Sequence, residues 1–79
     1  MRVLTAHNTL IMDSSCLSLV EVRWHGYGGG EYYQIETEIK DKTVVLSSQF
    51  ADMDRAETEL GRFITALNNE AKSFSFNRL

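Results

Sequence analysis

Proline is absent from this chain, and cysteine occurs once, at Cys16. Without proline no strand or helix is forced to break, so the turns must rely on Gly, Asn, Asp and Ser. A lone cysteine excludes an internal disulfide and a multi-cysteine zinc site. Small secreted domains usually need such staples, so the composition points to a reducing, cytoplasmic setting. Positive charge is also scarce: 8 Lys and Arg stand against 11 Asp and Glu, for a net charge of -3. Between residues 31 and 59 eight acids accompany three bases, the reverse of the clustered Lys and Arg that a nucleic-acid backbone requires. Long apolar runs are missing too. The opening segment MRVLTAHNTLIMD is broken by Thr5, His7, Asn8 and Thr9, and reads as neither a signal peptide nor a bilayer span. Binding to nucleic acid through a basic patch and binding to a membrane are therefore not expected.

What is present is enough for one small domain. The 79 residues are 43% hydrophobic, and a chain this short has little stability to spare, so each core side chain counts. The strongest signal is DMDRAETELGRFITAL, residues 52–67, in which Met53, Ala56, Leu60, Phe63, Ile64 and Leu67 recur at helical spacing. Those six share one face, with charged and polar residues on the other. Asp52 is a natural N-cap, and Asp54 adds negative charge at the positive end of the helix dipole. Arg55 and Glu59, four apart, are expected on the wet side. Gly61 near the stripe is expected to mark close packing on a sheet, since a mid-helix glycine costs about 1 kcal/mol relative to alanine.

Such a helix needs an apolar sheet to lie on. Val3 and Thr5, then Thr9 and Ile11, flank an Ala6-His7-Asn8 turn, predicting an N-terminal hairpin. Leu17 to Trp24 alternates, with Val20, Val22 and Trp24 on one face and Glu21 and Arg23 on the other. After a glycine-rich connection, Tyr33, Ile35, Thr37 and Ile39 alternate with Tyr32, Gln34, Glu36 and Glu38. Lys40-Asp41-Lys42 makes a turn, and Val44, Leu46 and Phe50 line a third strand that leads into the Asp52 cap. Phe74 and Phe76, alternating with Ser73 and Ser75, suit a short extra strand. The expected fold is α+β: a single domain with a four- to five-stranded antiparallel sheet, hairpin plus meander, and one C-terminal amphipathic helix packed on it.

Several local signals could carry chemistry. The glycines in Gly26-Tyr27-Gly28-Gly29-Gly30 open a strand rather than a helix, without the Lys-Ser/Thr pair of a phosphate loop. They read as a hairpin connection. His7 and His25 lack a metal-ligand spacing. A Cys16–His25 or Cys16–His7 dyad has no sign of the electropositive setting a nucleophile needs. No catalytic residue, metal site or cofactor is assigned. More telling is the density of aromatic and acidic residues around the glycines. Strand alternation directs Trp24 and Tyr33 inward and leaves His25, Tyr27 and Tyr32 outside, followed on that side by Glu31, Glu36 and Glu38. An aromatic centre with a charged border is the anatomy of a protein-binding patch, and the acids would steer it toward a basic partner.

The stretches VLTAHNTLIMD, SLVEVRW, EYYQIETEIKDKTVVLSSQF and DMDRAETELGRFITAL follow one another in an order that resembles small uncharacterised proteins of bacterial phages and mobile elements. Those have a hairpin, a meander and a final strand running into a capped helix. The resemblance covers most of residues 2–67 and implies an inhibitor or accessory factor that binds another protein. It transfers no catalytic residue. The alternative is a structural subunit, a homodimer formed through an edge strand and the Phe74–Phe76 tail.

Overall fold

The computed structural model describes every residue except Tyr27, Gly29 and Leu79. Among these residues the fold is α+β. The elements are β1 (Arg2–Leu4), β2 (Leu10–Ile11), β3 (Ser18–His25), β4 (Tyr32–Ile39), β5 (Lys42–Val45), α1 (Met53–Asn68) and β6 (Ser73–Ser75). The strands do not join into one sheet of four or five. They form two three-stranded sheets, ordered β2-β1-β6 and β3-β4-β5. The extra strand is real, but β6 pairs parallel to β1, with Val3 opposite Phe74. Alternation within the tail cannot name so distant a neighbour. The Ala6 N–H donates to the Leu46 carbonyl at 2.9 Å and stitches the two sheets together.

The turns use residues that tolerate positive φ. Asn8 at φ 65° closes the first hairpin, and Lys40 and Asp41, at 50° and 65°, make the two-residue turn between β4 and β5. Two successive positive values match the strand twist. The buried Thr5 accepts from the His7 and Thr9 N–H groups through Oγ1, which fixes the loop of the first hairpin. Asp13 caps a single 3-10 turn, Ser14–Cys16, accepting the Ser15 N–H at 3.0 Å. That backbone bond, seconded by the Ser15 side chain, holds the Asp13 carboxyl below its ordinary value of 3.8. A pH titration of side-chain carboxyl carbons is expected to place its midpoint below 3.8. The stabilisation by this cap is in place above that ordinary value and is lost as pH falls through the depressed folded one. A midpoint at or above 3.8 would show the cap to be absent in solution.

Helix α1 begins as the sequence directs, with the Asp52 carboxylate accepting the Arg55 N–H at 2.9 Å. It stops where Glu70 takes φ 54° and the Ala71 N–H reaches back to the Ala66 carbonyl at 3.0 Å, a Schellman-type ending. Its buried side is Ala56, Glu59 and Phe63. Met53, Ile64 and Leu67, expected inside, are exposed. The cause is the tail: the Phe63 ring stacks in tilted contact with Phe76 and meets Phe74 edge-on, each at 5.4 Å between centroids. This rotates the helix toward β6 and carries Glu59 inward. Arg55 accordingly pairs with Asp52 at 3.6 Å rather than with Glu59. Gly61 is exposed with nothing near the position of a Cβ, so it does not mark packing on the sheet.

Val3, Ala6, Ile11, Ile35, Leu46, Phe63, Phe74 and Phe76 form one core cluster that spans both sheets. Phe74 and Phe76 are therefore interior and do not offer a free apolar tail. Trp24 is 54% exposed despite standing on the core-facing side of β3. A Cβ at Gly26 would overlap its indole, which lies over that glycine at the strand end instead of beneath the helix. Among the described residues no helix is long and apolar enough to cross a membrane.

Candidate functional site

The outer face of the β3-β4-β5 sheet, opposite the helix, carries a connected polar cluster. Antiparallel pairing sets Arg23 opposite Gln34, Glu21 opposite Glu36 and His25 opposite Tyr32. Opposed residues project to the same face, so the wet sides of β3 and β4 are brought together. At the centre is Glu36, only 3% exposed. Its Oε2 lies 2.5 Å from His25 Nε2 and accepts from Gln34 Nε2 at 2.5 Å. Its Oε1 faces Arg23 Nη1 at 3.5 Å.

Arg23 ties the cluster together. Its Nε donates to Glu21 at 2.6 Å, and its Nη2 stands 3.7 Å from Glu38. The Glu21 hydrogen bond, joined by the nearby Glu36 and Glu38 charges, raises the guanidinium above its usual pKa despite some desolvation. One cation thus serves three carboxylates. Beside it, the Tyr32 ring stacks on His25 with centroids 5.0 Å apart and planes inclined by 13°.

Of the residues assigned from sequence, His25, Tyr32, Glu36 and Glu38 meet here. Glu36 is corrected in role. It is the buried hub of the cluster and not part of a solvated border, because the long side chains of Arg23, Gln34 and His25 converge on it. Glu31 is exposed ahead of β4, outside the hydrogen-bonded group. Tyr27 lies outside the described residues. Sequence reasoning passed over Glu21, Arg23 and Gln34. The alternation of β3 placed Glu21 and Arg23 on the wet face, but their importance depends on cross-strand register, which alternation leaves open.

A second feature lies along α1. A groove of about 300 Å³ is lined by Phe50, Asp54, Arg55, Thr58, Glu59, Arg62 and Asn77. Its buried carboxylate is already engaged, since Glu59 pairs with Arg62 and accepts the Asn77 N–H at 2.7 Å. The groove offers chiefly satisfied groups, whereas the sheet face has acids in excess of its cations. Cys16 is exposed in the 3-10 turn. The full length of β3, roughly 23 Å at ~3.3 Å per residue, separates it from His25, so those two form no dyad. Among the described residues no three His, Cys, Asp or Glu side chains group as metal donors. The chain matches no protein-family model, no curated protein and no solved structure.

Proposed function

We propose that this chain is a small cytoplasmic protein, without catalytic activity of its own, that binds a basic surface of another protein through the outer face of β3 and β4. The observation that carries this reading is the gathering of Glu21, Glu36 and Glu38 around the single guanidinium of Arg23, next to the stacked His25–Tyr32 pair. Excess negative charge beside a rigid aromatic group favours Lys or Arg side chains on the approaching partner. The buried hydrogen bonds of Glu36 preorganise the face, so little ordering cost remains at binding. Glu31, in the connection between β3 and β4, extends the same surface in this reading. The order of elements likewise supports an inhibitor or accessory factor of the phage and mobile-element kind.

The test begins with affinity capture from the native host, followed by titration of the purified partner. Tyr32→Ala is expected to weaken binding by about 2 kcal/mol, roughly thirtyfold, as for an interface hot spot. Glu38→Lys should weaken it further at low salt than at high salt. Circular dichroism should be unchanged, because neither side chain belongs to the core. Wild-type affinity in a folded Tyr32→Ala protein would exclude this face.

A further inference from the structure

We infer that strand β3 pairs with β3 of a second copy of this chain, in one register centred on Val22. The inference shares Glu21 and Arg23 with the partner-binding face proposed above but rests on the backbone edge of β3, which that face does not use. Four strands lie at sheet edges, and they differ in how they are protected. β2 has two residues and β6 three; β5 has four, begins with Lys42 and gives way to the irregular stretch leading to Phe50. Short, charged or interrupted edges resist further pairing. β3 is eight residues long, lacks Lys and Pro, and pairs only with β4 among the described residues. The register shift between Ser18 and Glu21, with Leu19 at φ 52°, takes in Leu19 and Val20, so the regular edge of β3 runs from Glu21 to His25.

The hydrogen bonding of β4 shows which groups of β3 are free to pair. The Tyr33 N–H and C=O both bond to Phe50, and Ile35 bonds to Leu46 and Ser47. These groups point away from β3. Trp24 and Val22, which stand opposite Tyr33 and Ile35, must then direct their own N–H and C=O groups outward from the sheet. Two copies of β3 can therefore exchange hydrogen bonds as an antiparallel pair with Val22 opposite Val22.

That register is selected by the side chains. It places Glu21 opposite Arg23 of the second copy and, by symmetry, Arg23 opposite Glu21. It also brings the exposed Trp24 beside the bulged Val20 of the second copy on the helix side, twice over. Aromatic–aliphatic and opposite-charge pairs are the favourable cross-strand combinations. The neighbouring in-phase registers put Glu21 against Glu21 or Arg23 against Arg23. A twofold axis through Val22, perpendicular to the sheet, keeps both helices on one face. Helix α1 packs on β3 and β4, with its Glu59 flank turned toward the tail. The exposed Met53, Ile64 and Leu67 lie on the flank away from β6, toward the second copy. The acidic outer face stays uncovered in this dimer.

Sedimentation equilibrium of the full chain over micromolar to submillimolar concentrations is expected to show a monomer–dimer equilibrium. Glu21→Arg, which opposes two guanidinium groups on each side of the axis, should weaken it at least tenfold with the circular dichroism unchanged. In a Cys16→Ser background, Val22→Cys should cross-link to itself under mild oxidation, its α-carbons being about 5.5 Å apart across the pair. Val20→Cys and Trp24→Cys should each fail to self-link yet link to one another when mixed. A monomer at every concentration would overturn the inference, as would a dimer indifferent to Glu21→Arg. Self-linking at Val20 or Trp24 in preference to Val22 would overturn the register. Tyr32 lies outside the pairing, so Tyr32→Ala is expected to leave the dimer unchanged, and that variant together with the cysteine cross-links separates the two readings.

Discussion

Phe63→Ala is expected to lower stability by about 3–5 kcal/mol, the range for truncating a buried aromatic residue. The Phe63 ring meets both aromatic residues of the tail, and Phe74 and Phe76 themselves meet edge-on at 4.9 Å. Its removal opens a void between the helix and β6, and β6 is fixed by its pairing with β1 and cannot collapse inward. Small domains have only about 5 kcal/mol or a little more in hand. At ~4–8 °C per kcal/mol, the melting temperature should fall by well over 10 °C. A melt within a degree or two of wild type would show that the helix does not pack on the tail as described.

Glu59→Ala is expected to cost about 2–3 kcal/mol, through charge-assisted hydrogen bonds rather than volume. Glu59 is 4% exposed. It accepts the Asn77 backbone N–H at 2.7 Å and holds Arg62, whose guanidinium lies over the Phe74 ring at 5.0 Å. Alanine leaves the Asn77 N–H without its acceptor and frees Arg62 from the position that covers Phe74. Glu59→Gln keeps an acceptor oxygen and should retain more than half of the lost stability. Urea denaturation separates the two variants. A loss below about 0.5 kcal/mol for Glu59→Ala would mean that this carboxylate behaves as an ordinary surface charge.

These two residues also mark where the sequence was legible and where it was not. The helix and its Asp52 cap follow from local periodicity and local hydrogen bonding, and both lie where the pattern places them. The β3-β4 pair and the Lys40–Asp41 turn were equally readable, because alternation and turn chemistry act between neighbours in the chain. The third strand, expected to run on through Leu46 to Phe50, instead ends at Val45 and leaves Phe50 in an isolated bridge to Tyr33. What escaped was pairing between distant segments. The alternation of the tail suited a strand, but its parallel partner was not visible, and with it went the division into two sheets. Once Phe74 and Phe76 occupy the core, the helix must rotate toward them. Glu59 then moves in, and Met53, Ile64 and Leu67 move out. At the candidate site the residue types were visible, but the role of Glu36 as a buried hub depended on Arg23, His25 and Gln34 arriving from particular registers.

The parallel pairing of Arg2–Leu4 with Ser73–Ser75 also dictates an order of assembly. Contacts between segments so far apart in sequence have high contact order and close slowly. During synthesis the central meander can close as its own hairpins emerge. The first hairpin, a two-stranded fragment of marginal stability by itself, must wait for Ser73–Ser75 before its sheet exists. Val3 and Ile11 stay uncovered through that interval, and so does the side of α1 that bears Phe63. Until Ser73–Ser75 is in place that margin stays adhesive, so its pairing with Arg2–Leu4 is the step that commits the domain to the folded state.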